Sequence, residues 1–92
     1  MRFRLLGRWW KFRYSRTLRD KWGYCNWTAR EVVVDDRNRN DQHLLDVTLH
    51  ELLHAASDTL SEEFVEQAAT DISRVLVRLG WSRRTEKEAR EQ

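Results

Sequence analysis

Hydrophobic positions repeat every second residue in the first third of this chain and every third or fourth residue in the rest. In the first third, Lys11, Arg13 and Ser15 alternate with Phe12 and Tyr14, the signature of a half-buried strand. It lies within an expected N-terminal strand or extended arm reaching about Arg16, with Gly7 as a break or bulge. Lys21 to Trp27 and Glu31 to Asp35 are rich in Trp, Tyr and Val, and Thr28-Ala29-Arg30 between them is short enough for a hairpin turn. A polar loop follows from Asp35 to Asp41, ending in Asn40 and Asp41, either of which can cap a helix.

The period then changes. Leu44, Leu45, Val47, Leu49, Leu52, Leu53, Ala55 and Ala56 predict a helix from about His43 to Ser57 that is apolar on more than one side and therefore buried. After a turn at residues 57–61, Ser61 followed by Glu62 and Glu63 marks a second helix start, with acids at the positive end of its dipole. Val65, Ala68, Ala69, Ile72, Val75, Leu76 and Leu79 form its apolar stripe, and Gly80 is the expected C-terminal cap. The short connection requires the two helices to run antiparallel. The expected fold is α+β: a small antiparallel sheet packed on two antiparallel helices. Residues 1–81 form one domain, including a basic aromatic strand or arm over 1–20, and a charged tail from Ser82 to Gln92 frays.

Within the first helix, His50-Glu51-Leu52-Leu53-His54 is an HExxH motif. Two histidines four apart lie one above the other and can grip one zinc ion, while Glu51 is placed to take a proton from a metal-bound water. A buried histidine pair must be satisfied, and a shared cation does so more simply than separate hydrogen bonds. A peptidase site needs a third protein ligand and one open position. Glu62, Glu63 and Glu66 all lie early in the second helix. Depth along the helix pair favours Glu66, with Glu62 one turn earlier as the alternative and Glu63 pointing farther outward. His43, about 10 Å above His50 along the axis, is too far for the same ion but within reach of a substrate cleft. Asp46 and Asp71 are candidates to hold the ligand imidazoles. Tyr14 and Tyr24 are available to stabilise an oxyanion, although no spacing selects either.

Composition bounds the rest. With 92 residues and 40% hydrophobic content, the core is modest and benefits from a metal clip. No stretch approaches a membrane span, and no secretory signal is recognisable, so a cytoplasmic location is expected. The single Cys25 fits a reducing compartment and is expected to pack as a small hydrophobe rather than serve as a ligand. Residues 1–30 carry nine Arg or Lys against Asp20 alone, whereas residues 31–73 carry eleven acids against Arg37 and Arg39. The run Arg8-Trp9-Trp10-Lys11-Phe12-Arg13-Tyr14 interleaves cations with aromatics, a composition suited to phosphate contact and base stacking as well as to a strand.

The strand containing Gly23-Tyr24-Cys25, the Val32-Val33-Val34-Asp35 strand and the Leu44–Ala55 helix with its HExxH resemble the core of SprT-like zincin metallopeptidases and of small metallopeptidases of tailed phages. Leu60-Ser61-Glu62-Glu63-Phe64-Val65-Glu66, Ala69-Thr70-Asp71-Ile72 and Leu79-Gly80-Trp81 are similar to the phage group in particular, and the likeness covers most of residues 22–81. It implies zinc ligation by His50 and His54, Glu51 as general base, an acid early in the second helix as third ligand, and, for a phage-encoded chain, the host cytoplasm. The chain departs from SprT-like proteins in having no histidine after His54, and from larger gluzincins in having Thr70 four residues after Glu66. The expected function is zinc-dependent hydrolysis of a peptide or protein. The alternatives are a nucleic-acid-binding module or a protein-binding module with a structural zinc.

Overall fold

A computed structural model describes residues 1–83. It is α+β, with a four-stranded mixed sheet and two helices: β1 (Arg2–Leu5), β2 (Arg8–Ser15), β3 (Gly23–Asn26), β4 (Glu31–Asp35), α1 (Asp41–Ala56) and α2 (Glu62–Arg78). The expected tail falls, from residue 84 onward, outside the described residues. No helix among the described residues is long and apolar enough to cross a membrane.

Two expectations about the sheet are corrected. The N-terminal segment is a hairpin, β1 pairing antiparallel with β2 around Leu6 and Gly7. Both turn residues have positive φ (50° and 81°), the geometry of a two-residue turn whose twist matches the strands, so Gly7 is the expected break between strands, as a turn residue and not a bulge. The sheet is also not wholly antiparallel. Its order is β1-β2-β4-β3, and β2 pairs with β4 in parallel, with Phe12 opposite Val32 and Tyr14 opposite Val34. The chain crosses from β2 to the far edge over residues 16–22, returns through β3, and places β4 in the gap. The cause is the Val32-Val33-Val34 run: all three side chains are fully buried, and only a central strand is covered on both faces.

Trp10, Phe12, Val32 and Val34 point to one face of the sheet and pack with Leu44 and Ala55 of α1, with Phe3, Leu5, Cys25, Val47 and Leu52 at the margin. The helix starts two residues earlier than its apolar pattern, because the Asn40 side chain accepts a hydrogen bond from the His43 amide. Ser61 caps α2 in the same way through the Phe64 amide. At its end the Trp81 amide donates to the Leu76 carbonyl and the Gly80 amide to that of Val77, a Schellman closure around Gly80. Glu62 meets His50 and His54 while Thr70 meets Asp46, so α2 runs back along α1.

The end of β4 is anchored by a buried ion pair. The Asp35 carboxylate, which has no exposed side-chain surface, accepts from the Arg37 amide and guanidinium, and the guanidinium also donates to the Leu18 carbonyl on the β2–β3 crossover. These hydrogen bonds hold the Asp35 carboxyl below its ordinary pKa, against the opposing effect of burial. A depressed carboxyl contributes stability above its unfolded value near pH 4 and loses it as pH falls through the lower folded value. Arg37→Ala leaves this carboxylate short of donors and is expected to lower stability at pH 7, by less than a fully buried pair would because the guanidinium is half-exposed. Urea unfolding should show the variant's deficit shrinking below about pH 4, where the parent also loses the pair.

Candidate metal centre

Helix α1 carries His50 and His54 on one face, and their Nε2 atoms lie 3.1 Å apart. Both turn toward one carboxylate: Glu62 Oε1 is 2.9 Å from His50 Nε2, and Glu62 Oε2 is 3.2 Å from His54 Nε2. Among the described residues these three are the group of His, Cys, Asp or Glu side chains close enough to share a metal ion, their ligand atoms all lying within 4.8 Å of one another. A tetrahedral zinc site with bonds near 2.0–2.2 Å sets its donor atoms roughly 3.3 Å apart. The spacing here is close to that, and two imidazoles with one carboxylate are donors that zinc accepts while leaving one position open. Both histidine side chains are about one quarter exposed and Glu62 is 61% exposed, so the group opens to solvent.

Glu62, and not Glu66, is the glutamate brought to the histidines. Helical phase decides between them. Glu62 begins the series Glu62, Val65, Ala69, Ser73, Leu76, whose later members are buried or half-buried, whereas Glu66 and Glu63 point to solvent. The expectation from depth favoured Glu66, but a five-residue connection sets the first turn of α2 beside the last turns of α1, where His54 lies.

Glu51 is buried, unlike its two histidine neighbours. Burial raises its carboxyl pKa above the ordinary value, a rise reinforced by the Glu62 charge and opposed by His50, His54 and Lys21. It faces the sheet at Gly23, on the edge strand β3. A Cβ built on Gly23 would stand 3.0 Å from the Val33 carbonyl oxygen, 3.0 Å from Val47 Cγ1 and 3.2 Å from Glu51 Cγ. Only glycine allows β3 to lie this close to α1. Trp22, Gly23, His43, Asp46, Val47, His50 and Glu51 line a cleft of about 240 Å³. His43 therefore borders the same cleft as the motif without joining the metal-competent group; its Nε2 is buried and has no hydrogen-bond partner among the described residues, and its ring meets Trp22 edge-on at 5.0 Å.

The other candidates stand outside the group of three, although Asp46 borders the same cleft. Asp46 accepts a hydrogen bond from Thr70 (2.9 Å), and Asp71 is exposed beside Arg74; neither is placed to hold an imidazole. Tyr14 packs edge-on against Phe12, and the Tyr24 hydroxyl accepts from Arg13 on the opposite face of the sheet. Cys25 is half-buried, and burial, with the Glu51 charge, pushes its thiol up to about 11, which keeps it protonated at neutral pH. The sequence reading missed Trp27, whose indole N–H donates to the His54 carbonyl (3.1 Å) and ties the β3–β4 loop to the end of α1. It also missed Gly23, for which a glycine inside an otherwise aromatic strand was the available signal. In comparisons with known proteins, no family model, curated protein or solved structure matches the chain.

Proposed function

We propose that this domain is a zinc-dependent peptidase of minimal zincin type, with His50, His54 and Glu62 as the metal ligands and Glu51 as general base. The observation that carries the reading is the convergence of two imidazole nitrogens and one carboxylate beside a buried glutamate, with His50 and Glu51 bordering a cleft next to the edge strand β3. A bound zinc would supply Lewis-acid activation of a water and of the scissile carbonyl. The Glu51 carboxylate takes a proton from the attacking water and returns it to the leaving nitrogen. The strand order leaves β3 at the end of the sheet, where its outer edge can hold an extended peptide by main-chain hydrogen bonds, while the Trp22–His43 cleft receives a side chain. The proposed setting is the cytoplasm, the host's if the chain is phage-encoded.

The test combines elemental analysis with hydrolysis of a quenched fluorescent peptide library. The parent is expected to hold about one zinc per chain and to cleave. Glu51→Gln should keep the zinc and lose about 10²–10⁴-fold in kcat/KM. Zinc retained by a parent that cleaves nothing would reduce the domain to a metal-stabilised binding module.

A further inference from the structure

The face of the sheet turned away from α1 carries four of the five cations in β1 and β2: Arg2, Arg4, Lys11 and Arg13. By register, Arg4 pairs with Trp9, Arg2 with Lys11, Lys11 with Glu31, and Arg13 and Tyr24 flank Val33. These partners share one face, opposite to Trp10 and Phe12, which are in the core. Trp9 is 51% exposed, with the Arg2 and Arg4 guanidinium carbons 5.1 and 5.6 Å from its ring centre. Lys21 lies over the Tyr24 ring at 5.0 Å, and Arg13 donates to the Tyr24 hydroxyl. Two acids fall in this register: Glu31, paired with Arg13 at 3.5 Å, and Asp35, which is buried and paired with Arg37. At one end the face opens into a groove of about 410 Å³ whose charged lining residues, Arg2, Arg8, Lys11 and Arg30, are all cations.

We propose that this sheet face binds single-stranded nucleic acid, with Arg2, Arg4, Lys11 and Arg13 on the phosphates and Trp9 stacking a base. A flat surface of repeated cations around an exposed indole offers both contacts that a single strand uses, charge neutralisation and stacking. A duplex keeps its bases stacked on each other and leaves the indole without a partner. The rest of the chain favours the same docking, because residues 36–73 carry nine acids against Arg37 and Arg39 and turn a polyanion away. Binding on this face is independent of the metal centre, which lies on the α1 side of the sheet.

The test is fluorescence anisotropy of the full chain with labelled oligodeoxythymidine and oligouridine about 20 nucleotides long, a duplex of equal length, and phosphatidylserine vesicles. Four phosphate contacts predict a log–log salt slope of about −3, a loss of roughly 50-fold between 50 and 200 mM salt. Arg2→Gln with Arg4→Gln should bring the slope to about −1.5, and Trp9→Ala should weaken binding at least about fivefold at an unchanged slope. Arg74→Gln with Arg78→Gln on α2 should change neither, and Glu51→Gln or chelation should leave binding in place wherever circular dichroism shows the fold intact. Preference between the DNA and RNA strands identifies the source of the phosphates. Absence of binding at low salt, a slope indifferent to Arg2 and Arg4, or tighter binding to the duplex or the vesicles than to either single strand would overturn the proposal.

Discussion

Glu62→Ala is expected to weaken zinc binding by at least about 100-fold, more than the loss of a residue that only supports a ligand, whereas Glu66→Ala should leave it within about twofold. The two glutamates are one helical turn apart and the same residue type, so the comparison isolates position from side-chain identity. Glu62 Oε1 and Oε2 each reach one imidazole Nε2, and Glu66 is exposed outside that group. Competition against a chromophoric chelator would give the affinities, and thermal unfolding an independent readout. A ligand at 100 times its dissociation constant stabilises the folded state by about 2.7 kcal/mol, which in a domain of this size raises Tm by more than ten degrees. That increment should disappear with Glu62→Ala and with His54→Ala. A Glu66→Ala variant that loses zinc while Glu62→Ala keeps it would transfer the ligand role and require α2 to rotate about its axis.

Gly23→Ala should destabilise the fold by crowding β3 against β4 and α1. Its Cβ meets a backbone oxygen of β4 at 3.0 Å, so no side-chain rotation relieves the contact on that side. The same atom stands against Val47 and Glu51 on α1, so the helix or the edge strand must move by several tenths of an ångström. Overpacking of this kind costs about 1–3 kcal/mol, measurable as a lower urea midpoint at constant slope. Because one of the crowded atoms belongs to Glu51, kcat/KM should fall further than the stability loss explains, with zinc affinity much less affected. Unaltered stability in Gly23→Ala would show that β3 and α1 separate freely, and would remove the rigid placement of Glu51 from the mechanism.

Local rules made much of this architecture readable. Both helices, their caps at Asn40 and Ser61, the Gly80 closure and the β3–β4 hairpin follow from residues near one another in the chain. What was not readable depended on long-range pairing. Alternation in Phe12–Ser15 shows which side chains face the core but not whether the neighbouring strand runs up or down. Only the unbroken Val32-Val33-Val34 run hinted that β4 is central. At the metal-competent group, the spacing of His50 and His54 was sufficient to place both nitrogens together. The choice between Glu62 and Glu66 depended on the rotation of α2 against α1, which is set by how Val65, Ala69 and Ser73 seat, and depth along the axis was the wrong coordinate. Trp27 was invisible for the same reason: its partner is a carbonyl 27 residues away.

The parallel seam between β2 and β4 also bears on how the chain reaches this state. Each of the two hairpins, β1–β2 and β3–β4, closes a short loop and can form early, but the seam that joins them brings together Phe12 and Val32, twenty residues apart, with no tight turn to guide them. Until it closes, each hairpin presents an unpaired strand edge, and the edge of β4 is a stretch of three consecutive valines, the kind of segment that recruits other chains. In the folded sheet, α1 covers Val32 and Val34 on one face while β2 covers the edge. The basic N-terminal hairpin thus acts on its own chain as the cover for the most aggregation-prone edge of the sheet, and shortening the protein from that end would expose it.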